Sequence, residues 1–359
     1  MSDRPEYSIF DPVEIPCEEI SDTNALAKEP LVSTLMLTYN HAPYVARAIE
    51  GVVQQKTNFA FELVIGEDCS TDGTREIVFD YAKRFPDIIR VITSEQNVGM
   101  KKNGYRTYQA CRGKYVTYCE GDDYWHRLDK LQLQTDYLES HPDCGLVYSD
   151  HDRYFVKNGR TIRSHYRTTN NVPPKKLNVF RGWGPGLNIL TCTVMVRSHL
   201  LNSIRSDPYL YRSDHYIGGG DIAFSEVALV SNIHYIDESL STYTFHIESA
   251  SNTRDPIKAL RFSISVYEGY LYIAKKYEHY EEIPGLEERR IDACLWLAFW
   301  ERNGQLARET RSKSASLSIK GRLLYYGAVN PLLHYMVCPL VIICKKMRAL
   351  INAYQLFHR

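Results

Sequence analysis

Between residues 31 and 149 the chain alternates two hydrophobic rhythms. Residues 31–39 form a short, mostly apolar run rich in strand formers, which stops at Asn40-His41-Ala42-Pro43, a turn able to open a helix. Val45, Ala48, Ile49, Val52 and Val53 then recur at helical spacing. Residues 61–65 predict the next strand, and Ser70-Thr71-Asp72-Gly73 supplies capping residues for a helix carrying Ile77, Val78 and Tyr81. The same alternation predicts strands over 88–93, 115–119 and 144–149, with helices near 104–111 and over 130–139. Rounds of this kind at short intervals are the signature of βαβ units, so the fold class is α/β, a mainly parallel sheet flanked by helices. Ligands of such sheets sit beyond the carboxyl ends of the strands.

After Asp150 the regularity weakens. Trp183-Gly184-Pro185-Gly186 reads as a loop, residues 191–196 as a strand, and Gly218-Gly219-Gly220 precedes a helical stretch over 222–230. From about Pro256 the chain turns helical, with a long periodic segment through Trp296 and Trp300. Residues 1–30 carry eight acids against two bases and no apolar period, and are expected to form an extended arm. The organisation expected is this arm, a domain over 31–252 divided near residue 150, and a helical C-terminal region over 253–359.

Composition narrows this picture. A chain of 359 residues holds material for about two domains, and its mean hydropathy of −0.35 describes a folded chain, not a membrane bundle. Its 43 basic and 43 acidic residues cancel, which gives no electrostatic footprint for nucleic acid. The cancellation hides an asymmetry: residues 311–359 hold eight basic side chains and no acidic one. Beside the apolar stretch 331–344, which is shorter than the roughly 20 residues of a spanning helix, this predicts contact with an anionic membrane surface. The bland alternative is a helical cap packed on the domain over 31–252. Nine scattered cysteines without a Cys-x-x-Cys pair, and an acidic N-terminus without a signal-peptide pattern, predict reduced thiols and a cytoplasmic location, peripheral on the membrane if the tail binds it.

The candidate chemistry lies at predicted strand ends. Glu120-Gly121-Asp122-Asp123 follows the strand over 115–119 directly, and three carboxylates so close repel one another unless a hard divalent cation sits among them. A solvated acidic turn capping the next helix is the plain alternative. In Glu67-Asp68-Cys69-Ser70-Thr71-Asp72-Gly73-Thr74, Asp72 or Thr71 serves as a helix cap. Asp68 stands before the cap, as an uncapped carboxylate able to accept a base N–H such as uracil N3. Asp221 after three glycines stands at a helix start, where the dipole favours a carboxylate in any case. His246 in Tyr243-Thr244-Phe245-His246 could touch phosphate or metal, or simply pack.

Taken in order, these motifs resemble the family 2 glycosyltransferases of the GT-A fold, especially bacterial members that build surface polysaccharides. The resembling positions include Leu37-Thr38-Tyr39-Asn40, Glu67 to Thr74, Asn97-Val98-Gly99, Gly113-Lys114-Tyr115, Glu120 to Trp125, Lys130-Leu131, Gly220-Asp221, Tyr235 to Glu238 and Tyr243-x-x-His246. The resemblance implies a GT-A-type, Rossmann-like sheet in which Thr38, Tyr39 and Asn40 line the nucleoside pocket and Asp68 hydrogen-bonds the base, most often uracil. It implies that Asp122 holds Mg²⁺ or Mn²⁺ on the donor diphosphate, that Asp123 orients the sugar or the metal shell, and that Asp221 is the general base. Three departures stand out. Glu120 replaces the usual first Asp of the DxD position and suggests contact with ribose or metal-bound water. Lys102 stands where relatives often have Arg, and Thr244 takes a place often filled by Arg.

The function expected is metal-dependent, inverting transfer of a sugar from a nucleotide sugar, UDP-linked by this reading, to a hydroxyl of a surface-glycan or lipid-linked acceptor. A base would deprotonate the acceptor and a cation would stabilise the departing diphosphate. A non-catalytic homologue that binds nucleotide sugar or glycan is the rival. A phosphate enzyme has no anchor, since neither a Gly-x-Gly-x-x-Gly nor a P-loop pattern occurs.

Overall fold

The computed structural model describes residues 9–172, 189–213, 219–246, 255–278, 285–314 and 316–336, with Thr253 and Cys338; for residues 219–221 it describes the backbone alone. The chain divides into two units, Met1–Ile247 and Glu248–Arg359.

In the first unit the alternating rhythm produces β2 (Val32–Thr38), α1 (Val45–Val53), β3 (Phe61–Glu67), α2 (Thr74–Arg84), β4 (Ile89–Thr93), α3 (Met100–Gln109) and β5 (Tyr115–Tyr118). The strands β4, β3, β2 and β5 lie side by side in parallel. β2, β3 and β4 are buried almost throughout, which is why they read as apolar runs and not as alternating ones. Val45, Ala48, Ile49 and Val52 of α1 are fully buried in the core with Val32, Met36, Leu63 and Ile65 of the sheet. Gly66 has no room for a side chain: a Cβ there would stand 2.1 Å from Thr107 Oγ1, so α3 crosses the sheet in close contact.

The second half adds β6 (Tyr124–Trp125), α4 (Lys130–Ser140), β7 (Cys144–Phe155), β8 (Arg160–Ile162), α5 (His165–Thr168), β9 (Met195–Arg197), α6 (Ser198–Arg205), α7 (Pro208–Tyr211), α8 (Gly219–Val230) and β10 (Asn232–Phe245). The sheet of the described residues begins with β1 (Glu18–Ile20) and runs β1-β4-β3-β2-β5-β9-β7-β10-β6, with β8 beside β7. β9 is antiparallel to both β5 and β7, while β7 and β10 pair in parallel. The strand expected over 191–196 is shorter than predicted, because Thr191–Thr193 form a 3₁₀ turn before β9.

Structure does not begin at Leu31. Asp11 caps a 3₁₀ turn over Pro12–Glu14, and β1 (Glu18–Ile20) pairs antiparallel with β4. The physical cause is a buried charge. Arg90 of β4 donates through Nε and Nη2 to Glu19 at 2.8 and 2.9 Å, and through Nη1 to the buried Glu62. Burying that guanidinium demands carboxylates, and one of them comes from the segment expected to be a free arm.

The second unit is helical, with α9 (Pro256–Lys276), α10 (Leu286–Glu301), α11 (Gly304–Ser312) and α12 (Ile319–Val329) among the described residues. Ile291, Leu295, Phe299, Leu317 and Leu324 form one of its cores. Half of the apolar stretch 331–344, and all of 339–359, lie outside the described residues.

Candidate active site

Three parallel strands deliver the predicted residues to one edge. Beyond β5 the chain stays hydrogen-bonded to β2, with Cys119 N–H donating to Leu35 O at 3.0 Å and Gly121 N–H to Leu37 O at 2.9 Å. Glu120-Gly121-Asp122-Asp123 is thereby laid along Thr38. Gly121 is required there: a Cβ would stand 2.6 Å from Thr38 Oγ1 and 2.8 Å from His41 Nδ1.

The three carboxylates have different surroundings. Glu120 Oε2 accepts the Leu37 N–H at 3.2 Å, yet burial, then the charge of Asp122, push its acid up to about 8. Asp123 is buried, with Oδ1 accepting the Thr244 N–H at 2.8 Å; burial and the Asp122 charge raise its pKa well above the ordinary range. Asp122 is different. Burial raises its pKa, but His246 Nε2 at 3.4 Å from Oδ2, together with the His41 charge, outweighs burial and keeps it low. The Tyr44 ring meets His246 edge-on at 4.9 Å. His41 is depressed, first by burial, and its Nδ1 is buried without a hydrogen-bond partner. The structure therefore brings Thr38, Glu120, Asp122, Asp123 and His246 together.

Asp68 and Asn40 form the neighbouring wall. Asp68 is not the uncapped carboxylate that the sequence predicts: Oδ1 accepts Val98 N–H at 2.8 Å, Oδ2 accepts Gly99 N–H at 2.9 Å, and Arg106 stands 3.5 Å away. The tight Asn97-Val98-Gly99 turn leaves those N–H groups without backbone partners, and a buried carboxylate is their solution. Burial raises the Asp68 pKa against these donors. Asn40, at φ 56°, ties two strand-end loops together through Ser70 Oγ and Thr71 N–H. Tyr39 is exposed, and the Lys102 ammonium lies 5.8 Å from the Phe10 ring centroid, with no described contact to the carboxylates. Asp221 falls in the first turn of α8, and its side chain lies outside the described residues.

Sequence reasoning missed His41, Tyr44 and the role of Thr244. His41 and Tyr44 lie in or beside the turn read only as a helix opener, and a lone histidine in a turn carries no signal until β10 sets His246 beside it. Thr244 supplies a backbone N–H, which any residue but proline could give.

The described residues hold no preformed cluster of three or more His, Cys, Asp or Glu suited to a metal. The Asp122–His246 pair offers an oxygen and a nitrogen donor, and His41 Nδ1, buried without a hydrogen-bond partner, marks a site with unspent polar capacity. That donor set fits a divalent ion whose remaining ligands are water and phosphate oxygens.

The family model described as Glycosyl transferase family 2 matches residues 33–202. The putative glycosyltransferase EpsE of Bacillus subtilis is 32% identical over 262 residues, covering 68% of this chain and 87% of that one. An uncharacterised protein of Mycobacterium tuberculosis is 39% identical over 117 residues, and the chain spans about a third (34%) of that relative's length. Among solved structures, Staphylococcus aureus TarS 1–349 in complex with UDP-GlcNAc matches with a TM-score of 0.53 at 18% identity, over 83% of this chain and 90% of that one. A mannosyltransferase of Pyrobaculum calidifontis, in complex with GDP-Man and Mn²⁺, matches with a TM-score of 0.52 at 16% identity, over 92% and 84%. At these identities the structural likeness establishes the GT-A-type fold.

Proposed function

The chain belongs to glycosyl transferase family 2, and from that membership we propose that it moves a sugar from a nucleotide sugar to an acceptor hydroxyl with inversion. The single observation that carries the reading is the convergence of Asp122, His246 and the buried Glu120 and Asp123 at the carboxyl edge of a parallel sheet. Three carboxyl groups crowded beside an imidazole, two of them with raised pKa, are costly in isolation and sensible around a cation.

In this proposal Asp122 and His246 hold Mg²⁺ or Mn²⁺. The bound cation would neutralise the diphosphate that leaves the sugar. Asp123, fixed by the Thr244 N–H, orients the donor sugar, and Glu120 reaches ribose or a metal-bound water. Thr38 and Tyr39 line the nucleoside pocket. Asp68, already holding the 97–99 turn, has lone pairs left for a base N–H, which favours uracil. Asp221 is the carboxylate proposed to take the acceptor proton as its oxygen attacks the anomeric carbon. Asp221→Asn should then abolish transfer while leaving nucleotide binding intact. Transfer that survives in Asp221→Asn would dismiss Asp221 as the base, and native protein that binds nucleotide sugar without transferring it would favour the non-catalytic rival.

The acceptor is proposed to be a surface-glycan or lipid-linked chain, a reading supported by one relative, 34% identical over 110 residues, which is the putative teichuronic acid biosynthesis glycosyltransferase TuaG of Bacillus subtilis. A peripheral position on a membrane is supported by α12, whose Ile319, Leu323 and Tyr326 are 82, 52 and 54% exposed at one-face spacing beside Lys320 and Arg322. Among the described residues no helix is long and apolar enough to cross a membrane.

A further inference from the structure

β7 and β10 continue past the donor carboxylates as a parallel pair, with Ser241 opposite His151 and Tyr243 opposite Arg153. Successive strand residues point to opposite faces, so His151 and Arg153 share one. The Arg153 guanidinium lies 5.7 Å from the Tyr243 ring centroid, its Nε is buried without a hydrogen-bond partner, and no carboxylate among the described residues pairs with it. Arginine cannot shed its proton to escape such a setting. Arg90 and Arg106, by contrast, face Glu19, Glu62 and Asp68.

The surroundings add no negative charge. His151 is fully buried, neither ring nitrogen has a partner, and burial, then the charges of His165 and Arg153, push it down to about 3. The His165 ring stacks on it at 5.0 Å and has a buried, unpartnered Nδ1 of its own. The nearest carboxylate to His151 is Asp150, 3.9 Å away. Its oxygens already accept the backbone N–H groups of His151, Tyr166 and Arg167. A half-buried cation thus stands beside two imidazoles, each able in its neutral form to turn one N–H donor to a ligand, which is the composition of an anion site awaiting its ligand.

This group adjoins the reaction centre. Tyr243 precedes Thr244, whose N–H holds Asp123, and Ser241, opposite His151, places its hydroxyl 3.7 Å from the Cys192 thiol. We propose that Arg153, flanked by His151 and His165, receives the carboxylate or phosphate of an anionic sugar substrate bound next to Asp123. The inference rests on the glycosyltransferase reading above and names the substrate class that the same site selects.

The test uses the full-length protein loaded with UDP and Mn²⁺. Its binding is measured to matched oligosaccharides that are neutral, uronate-bearing or glycerol-phosphate-bearing, and a parallel arm compares UDP-glucuronate with UDP-glucose. Native protein should prefer the anionic members, by roughly ten- to a hundredfold, as expected for a charge-assisted hydrogen bond. Arg153→Gln should lose the preference with UDP affinity unchanged, and Arg153→Lys, which keeps the charge, should restore part of it. Preference in the oligosaccharide arm assigns the anion to the acceptor, and preference in the UDP-glucuronate arm assigns it to the donor. Equal binding of neutral and anionic members by the native protein, no binding of either, or a preference that survives in Arg153→Gln would overturn the proposal. If UDP itself fails to bind native protein, the donor reading falls first, and that titration is read separately.

Discussion

At Gly121 a single methyl group would reach the site directly. A Cβ in Gly121→Ala would stand 2.6 Å from Thr38 Oγ1 and 2.8 Å from His41 Nδ1, so either those side chains or the Glu120–Asp123 segment must shift. Overpacking of this kind costs about 1–3 kcal/mol. Gly121→Ala should lower the melting temperature by several degrees and weaken Mn²⁺-dependent UDP binding about tenfold or more. An unchanged affinity would mean that the Glu120–Asp123 segment does not hold the donor. Asp68 makes the complementary case. Asp68→Ala strands the half-buried Val98 N–H, leaves the Gly99 N–H to Asn97 Oδ1 alone and removes the carboxylate beside the buried Arg106, for a loss of about 3 kcal/mol readable as a lower urea midpoint. A merely exposed ligand-binding carboxylate would leave stability untouched.

Among the elements, the βαβ half was legible because β2, β3 and β4 are buried on both faces and α1 carries a clean apolar stripe. β1 was not legible: three exposed residues have no pattern, and their reason, the Glu19–Arg90 contact, spans 71 positions. β10 was also hidden, because Ser241, Thr242 and Thr244 are buried polar residues beside the site and break the apolar alternation on which strand reading depends. The carboxylate cluster was visible as a motif, whereas His41 and the Asp68 contacts depend on loops that meet only in three dimensions. The start of α4 offers a pH test. Lys130 is fully buried, with Nζ 2.6 Å from Gln134 Oε1 and 4.2 Å from the Trp125 ring centroid, and burial pushes its ammonium down to about 7. In the unfolded chain it keeps its proton to about pH 10. Between these values the unfolded state binds the extra proton, so stability gains as pH rises from 7 towards 10. The urea midpoint should therefore climb more from pH 7 to 9 in the native protein than in Lys130→Met; parallel profiles would refute the buried, neutral lysine.

At the scale of the whole chain, charge is divided between an acidic body and a basic end, with residues 311–359 free of acids. If that end meets lipid through the exposed face of α12, the protein should co-sediment with vesicles containing phosphatidylglycerol and not with neutral ones. High salt and Leu323→Glu should both release it. Sedimentation indifferent to lipid charge would leave α12 as an ordinary helical surface. The central claim remains the donor site, and calorimetric titration with UDP, with and without Mn²⁺, tests it most directly. The account predicts UDP binding that requires the metal and disappears in Asp122→Asn while the fold persists; binding of UDP that ignores both the metal and Asp122, or no binding in the native protein, would contradict it.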